Sequence, residues 1–463
     1  MWEWLVDHLA VFMFVSLVLL MFIGYPVAFV LGAIGIFFGF LGILGGVFSM
    51  LQFGNLLPRI YGQAIQNPVL VAVPMFIFMG TMLEKSKVAD ELLYALQVLL
   101  RRVPGGLALA VAILGTIMAA TTGIVGASVI MLTLIALPPM LARGYNKELA
   151  VGCIAAAGTL GILIPPSIML VIMGDLMQVP VGTLFTGAIL PGLILSGLYL
   201  VYIIILCAFK PHLAPPLGPH EGPQNAGELL RLVVRSFVPA SFLILLVLGS
   251  IFAGWATPTE AAGVGAFGAI LLAIKSKQFS LRILEDVMRS SAVTNALVFF
   301  IIFGATLFSY VFRALGGDDL VVEILKAVGI DTGWEILVFV MALVFFMGFF
   351  FDWIEICLIV IPIFAPIIAK ASFVSFGAGL SDPKIVLLWF GLLLAVNMQT
   401  AFLTPPFGFA LFYMKGTVPP SVTMMHIYRG IIPFVFIQLV ALGLCMLFPE
   451  IALYLPRRWG FLD

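Results

Sequence analysis

The stretch GTLGILIPPS, Gly158 to Ser167, lies inside an uncharged run from Leu149 to Gly174, and MQTAFLTPPF, Met398 to Phe407, lies inside another from Ile385 to Met414. A proline in a helix interior removes an amide donor and clashes with the carbonyl one turn back, a penalty of about 3 kcal/mol or more. Pro165-Pro166 and Pro405-Pro406 are therefore expected to break two apolar helices in mid-span. Polar residues precede each break: Gly158 and Thr159 in one, Asn397, Gln399, Thr400 and Thr404 in the other. An unwound segment can offer carbonyls to a bare cation, and the half-helix that follows presents its positive N-terminal dipole to an anion. Kinks held by Thr and Gln side chains, with no ligand, would be the plainer reading of either site alone. Two such sites at matching places favour a function.

The surroundings of these breaks define the solvent. Of 463 residues, 63% are hydrophobic and 10% charged, against about 25% charged in soluble domains. Several uncharged runs, among them Val103–Ala142, Leu176–Phe209 and Ser236–Thr259, exceed the roughly 20 residues that span hydrocarbon. The runs are continuously apolar rather than alternating, so the fold class is an all-α polytopic membrane protein. Its formal net charge of zero gives nucleic-acid binding no electrostatic support. Cys153, Cys207, Cys357 and Cys445 are scattered through apolar runs with no CxxC pair, so they read as packing residues. The N-terminal MWEWLVDHLAVF carries Glu3 and Asp7 rather than a basic start and reads as the first membrane helix, not a cleaved signal.

Internal repetition organises the chain. The polar segment 210–235 divides it, and landmarks recur in order at an offset of roughly 230 to 240 residues: Gly24-Tyr25-Pro26 with Gly254 to Pro258, LPPM ending at Met140 with FAPI ending at Ile367, and the two double-proline stretches with each other. The reading is of two repeats, 1–209 and 236–463. In the first, Arg101 and Arg102 precede residues 103–142 while Arg143 and Lys147 follow them, so both ends belong on the cytoplasmic side. That segment goes in and comes back, as a re-entrant helical hairpin, followed by a broken helix over 149–178. The second repeat has its hairpin at 336–370, with few basic flanks, and its broken helix at 385–416. Fewer basic flanks suit an opening toward the other side, as inverted repeats require.

The hairpin tips supply further candidates: Thr121, Thr122, Gly123, Gly126 and Ser128 in the first, Asp352, Trp353 and Glu355 in the second. Glycines let backbone approach a ligand closely, and ionisable groups inside an apolar stretch mark a functional site by default. Asp352 could equally cap the helix that follows it. Arg313, ending an apolar span, could face a substrate carboxylate, although snorkelling to the interface is the commoner fate. No GxxxxGK[ST] loop occurs, so ATP is not the direct energy source. A membrane enzyme would need a convergent acid, base and nucleophile, and a channel would not need paired broken helices; a carrier fits best.

At these motifs the chain resembles the large membrane subunit, the DctM-like or M subunit, of tripartite ATP-independent periplasmic (TRAP) transporters. The pieces are GYPVAFVLG from Gly24, ARGYNKELAVG from Ala142, AAGTLGILIPPSIMLVIMGD from Ala156, GWATPTEAAGVGA from Gly254, FFFDWIEICLIVIPIFAP from Phe349 and QTAFLTPPFGFALFYMKG from Gln399. The resemblance implies a bacterial inner-membrane carrier, not an enzyme, working as an elevator. It implies sodium as coupling ion and no other cofactor, a small four-helix membrane subunit, and a periplasmic binding protein that delivers a small organic anion. It implies cation binding by Ser128, Gly158, Thr159, Pro165, Asp352, Gln399, Thr400, Thr404 and Pro405, mainly through backbone carbonyls. Substrate contacts are expected from Thr121, Thr122, Gly123, Ser128, Asp352, Glu355, Gln399 and Thr404.

Overall fold

The structure is a computed structural model and describes residues 2–23, 25–122, 125–216, 225–375, 378–405 and 408–462. Its principal helices in the first half are α1 (Leu9–Phe22), α2 (Val27–Leu44), α3 (Ala72–Lys85), α4 (Val88–Leu99), α5 (Gly106–Thr122), α6 (Val125–Ala142), α7 (Lys147–Thr159), α8 (Ile168–Met177) and α9 (Val181–Phe209). The second half contributes α10 (Ala226–Phe252), α11 (Pro258–Lys275), α12 (Leu281–Ala314), α13 (Gly317–Ala327), α14 (Gly333–Met347), α15 (Trp353–Ile368), α16 (Pro383–Leu403), α17 (Phe409–Lys415), α18 (Met424–Leu447) and α19 (Glu450–Arg458). Among the described residues, eight helices are long and apolar enough to cross a membrane. The shorter apolar helices include α5, α8, α14 and α15, which are the hairpin and half-helix pieces.

The packing has the exchange symmetry of a repeat. Helix α2 packs on α12 while α3 packs on α11, α7 packs on α18 while α9 packs on α16, and α8 packs on α15 while α6 packs on α17. The two copies run in opposite senses. The start of α7 lies beside the start of α18, where Lys147 Nζ donates to the Ser421 carbonyl at 2.7 Å and a Cβ on Gly152 would sit 2.1 Å from the Gly430 oxygen. The start of α16 lies instead at the far end of α18, where Trp389 Nε1 donates to the Cys445 carbonyl at 2.9 Å. Equivalent helices α7 and α16 are thus antiparallel, and the repeats are inverted.

The ends of the helices sort by charge. Gly105 N–H bonds the Ala214 carbonyl at 3.0 Å and Asn146 N–H the Leu213 carbonyl at 2.8 Å, which gathers both ends of the first hairpin and the end of α9 on one face with Arg101, Arg102, Arg143, Lys147 and Lys210. Arg235 and Lys275 share a further recess with Glu91. By the positive-inside rule this face is cytoplasmic. On the opposite face Thr259 Oγ1 donates to the Pro68 carbonyl at 2.8 Å. The second hairpin opens there, beside a two-stranded antiparallel ribbon, Phe373–Ser375 with Ala378–Leu380, that the sequence did not suggest. Trp334 Nε1 donates to the Val374 carbonyl at 3.2 Å, and Trp334, Phe373 and Trp389 pack edge to face.

One expected boundary moves. The polar connector was expected to run to residue 235, but α10 starts at Ala226. Glu228-Leu-Leu-Arg-Leu-Val-Val-Arg235 carries its apolar residues at helical spacing, so the charges ride on the cytoplasmic end of a long helix instead of on a loop.

Candidate functional site

The double prolines dictate local structure through missing donors. In an α-helix the carbonyl of residue i accepts the N–H of residue i+4. Prolines at 165 and 166 leave the Gly161 and Ile162 carbonyls without such partners, and prolines at 405 and 406 do the same to Ala401 and Phe402. In the first break, helix α7 ends at Thr159 and a 3-10 turn covers Leu160–Ile162. The Ser167 hydroxyl then donates to the Ile162 carbonyl and accepts the Leu170 N–H, capping α8. In the second, α16 runs to Leu403, Thr404 is extended, and Gly408 at φ +43 opens α17. Gly158, Thr159, Gln399 and Thr400, which precede the breaks in sequence, occupy the last helical turns before them.

The hairpins bring their tips to these breaks. A Cβ on Gly158 would meet Val129 Cγ2 at 2.5 Å, so α6 lies against the end of α7 beside Ser128, which is 3% exposed. A Cβ on Gly348, at the second tip, would meet the Ala401 Cβ at 2.4 Å, next to the orphaned carbonyls of that turn. Tyr413 on α17 links the two systems. Its ring lies 2.8 Å from where a Cβ on Gly126 would stand. Tyr413 was not expected from sequence, because its role depends on a helix from one repeat meeting a tip from the other.

The individual side chains divide into occupied and open groups. Asp352 is the N-cap of α15: its Oδ1 accepts the Trp353 N–H at 2.7 Å, while Glu355 Oε2 accepts the Asp352 N–H at 3.1 Å. Both carboxylates therefore hold the helix start. Thr400 Oγ1 donates to the Asn397 carbonyl at 2.6 Å and Thr404 Oγ1 to the Thr400 carbonyl at 3.0 Å. Each hydroxyl has spent its proton within the helix and keeps oxygen lone pairs for a cation. Thr159 donates to the Ala156 carbonyl at 2.9 Å and neighbours Tyr199, whose hydroxyl accepts Gln438 Nε2 at 2.8 Å; it belongs to a polar cross-link between α7, α9 and α18. Pro165 is buried and Pro405 exposed.

Gln399 stands apart: its side chain is 0% exposed, and neither Oε1 nor Nε2 has a hydrogen-bond partner. Asn397, also 0% exposed, donates to the Met341 carbonyl at 2.7 Å but leaves Oδ1 unpaired. It adds an acceptor that the sequence reading placed near the break without a role. Unsatisfied buried amides are rare and call for an explanation. Among the described residues no group of three His, Cys, Asp or Glu could hold a metal ion. The expected contacts Thr121 and Thr122 end α5, with side chains outside the described part, and Gly123 lies outside the described residues, as does Pro406.

Solved structures share this fold. The Alcanivorax borkumensis YdaH transporter superposes with a TM-score of 0.59 at 17% identity over 98% of each chain. The Neisseria gonorrhoeae MtrF efflux pump gives 0.52 at 14% identity over 87% of this chain and 83% of that one. In sequence, the chain is 30% identical over 86% of its length to the C4-dicarboxylate TRAP transporter large permease protein DctM of Pseudomonas aeruginosa, covering 88% of it. It is 28% identical over 96% of its length to the ectoine/5-hydroxyectoine large permease protein UehC of Ruegeria pomeroyi, covering 98% of it. It is also 28% identical over 94% of its length to the isethionate permease protein DctMQ of Oleidesulfovibrio alaskensis, covering 64% of that protein. Residues 14–451 match the DctM component family of tripartite ATP-independent periplasmic transporters. The chain is therefore a multi-pass bacterial inner-membrane protein and belongs to that family, as a large permease subunit of a TRAP transporter.

Proposed function

We propose that this subunit carries a small organic anion inward together with sodium, using the two hairpin tips and two helix breaks as one site. The observation that carries the proposal is the buried, unpaired Gln399 amide at the end of α16. Its oxygen is an acceptor suited to a cation and its nitrogen a donor suited to a carboxylate or sulfonate, so one side chain can serve both ligands. Around it, Thr400, Thr404 and the carbonyls orphaned by Pro405 and Pro406 supply oxygens for one sodium ion. In the first repeat Ser128 and the carbonyls near Gly158 and Pro165 supply oxygens for another. Asp352 contributes the carboxylate oxygen left over from its capping bond, and Thr121, Thr122 and Gly123 are included as substrate contacts on sequence grounds alone.

Inverted hairpins with broken helices between them allow one block, α5 to α8 with α14 to α17, to move against the remaining helices and open to either side in turn. The family name supports a tripartite assembly, so the proposal includes a small four-helix membrane subunit and a periplasmic binding protein that hands over the substrate. Relatives named for C4-dicarboxylates, ectoine and isethionate define the panel to test. Uptake of labelled succinate, isethionate and ectoine should be measured in proteoliposomes holding this subunit and its small partner, with the binding protein outside. Uptake needing both an inward sodium gradient and the binding protein supports the proposal; uptake indifferent to sodium sinks the coupling.

A further inference from the structure

A cavity of about 530 Å³ lies away from the tips, between the 59–69 segment, α12, the end of α8 and the middle of α15. Leu358 and Pro362 of α15 line it, about 9 to 15 Å along the helix from Asp352 at the helical rise per residue. Asp175 lines it at the end of α8, on the face away from Arg101 and Lys147. There its Oδ1 accepts Asn67 Nδ2 at 2.5 Å. The cavity thus opens on the periplasmic face.

Two guanidinium groups line it, Arg59 and Arg313. Arg59 lies 4.2 Å from the ring centre of Tyr310 and makes no ion pair among the described residues. Arg313 Nη2 donates to the Pro362 carbonyl at 2.6 Å. That carbonyl is available because residue 366, which would donate to it in a regular helix, is proline. Arg313 also lies 3.7 Å from Asp318, so the end residue of this apolar span makes a contact across to α15 as well as one to its own side. Against these two cations the lining sets a single carboxylate, Asp175, already bonded to an amide. With Asp318 paired to Arg313 beside the lining, Arg59 is the cation left without an ion pair in this concave space, the setting in which Arg recognises planar anions.

Resting on the reading that the chain carries organic anions, we propose that this cleft is a second anion-binding station. Arg59 and Arg313 hold the carboxylate or sulfonate of a small organic anion on the periplasmic side before it reaches the hairpin tips. An anion that engages Arg313 competes with its bond to Pro362, and so loosens the contact between α12 and α15 as cargo arrives.

The test uses the full chain with Ser309→Cys, a cavity-lining position, since the four native cysteines are all buried. Labelling by a sulfonate-bearing methanethiosulfonate is followed in sodium-free buffer with and without excess succinate, isethionate or ectoine. At least one probe should slow labelling severalfold, equally in a Gln399→Ala background. Arg59→Gln or Arg313→Gln should abolish that protection and slow the anionic reagent roughly fivefold relative to a cationic one, whereas Arg59→Lys should keep much of it. Protection by none of the probes overturns the proposal. So does protection that survives both Gln substitutions, that disappears with Gln399→Ala, or that anionic lipid alone reproduces. Sodium-driven uptake of the same probe in the same vesicles separates the two ideas: protection without uptake refutes the carrier reading only, and uptake without protection refutes the station only.

Discussion

Replacing Gln399 by methionine should make the sodium-free protein more stable while destroying its response to sodium. The side chain is fully buried with two unpaired polar atoms, and an unsatisfied buried group costs about 1–3 kcal/mol. Empty, the site thus carries a penalty of about 2–6 kcal/mol, which a flexible apolar side chain of similar length removes in part. A ligand at a hundred times its dissociation constant adds about 2.7 kcal/mol to the wild type, and the variant should forgo that gain. Thermal denaturation of the purified protein in detergent, with sodium against choline, reads both quantities. The expected pattern is a higher midpoint for Gln399→Met in choline, no further rise in sodium, and loss of sodium-driven uptake. A variant less stable than wild type in choline and equally raised by sodium would mean that Gln399 is a packing residue and not a ligand.

Other outcomes follow from the same contacts. Glu355→Gln should keep the bond to the Asp352 N–H and most uptake, whereas Glu355→Ala should lose about 1 kcal/mol of helix-start stability; equal loss of uptake in both would give Glu355 a charge-dependent role. Gly152→Val should force α7 and α18 apart, since even a Cβ would stand 2.1 Å from the Gly430 oxygen, lowering stability by about 1–3 kcal/mol in a denaturation assay. Gly126→Ala should slow uptake by pressing on the Tyr413 ring, and Gly126→Ala with Tyr413→Leu should recover part of the rate; no recovery would place the damage elsewhere. Ser167→Ala should leave the Ile162 carbonyl unpaired and the α8 N-terminus uncapped, reducing stability by about 1 kcal/mol.

Much of the architecture is legible because a bilayer imposes simple rules. Apolar runs must be helices, double prolines must break them, and basic residues must collect on one side; these place the two hairpins, the two breaks and the inversion from sequence. The same rules explain why the α10 boundary was misplaced: charge and composition suggest a loop at 226–235, and only the helical spacing of its apolar residues shows otherwise. What one residue does inside the site is a different question. Thr159, Thr400 and Thr404 look alike in sequence and all bond back into their own helices, yet Thr159 also joins a polar cross-link with Tyr199. Asp352 and Glu355 stand out in sequence as carboxylates in an apolar stretch, and the structure adds that each also holds the start of α15. Tyr413 against Gly126, and Arg313 against the carbonyl freed by Pro366, pair residues far apart in the chain. Local rules govern donors and acceptors within one turn of helix, so the sequence by itself determined where the backbone would open. Which side chains fill those openings, and which are left unpaired like Gln399, depends on how two antiparallel repeats interlock, and that only the tertiary structure decided.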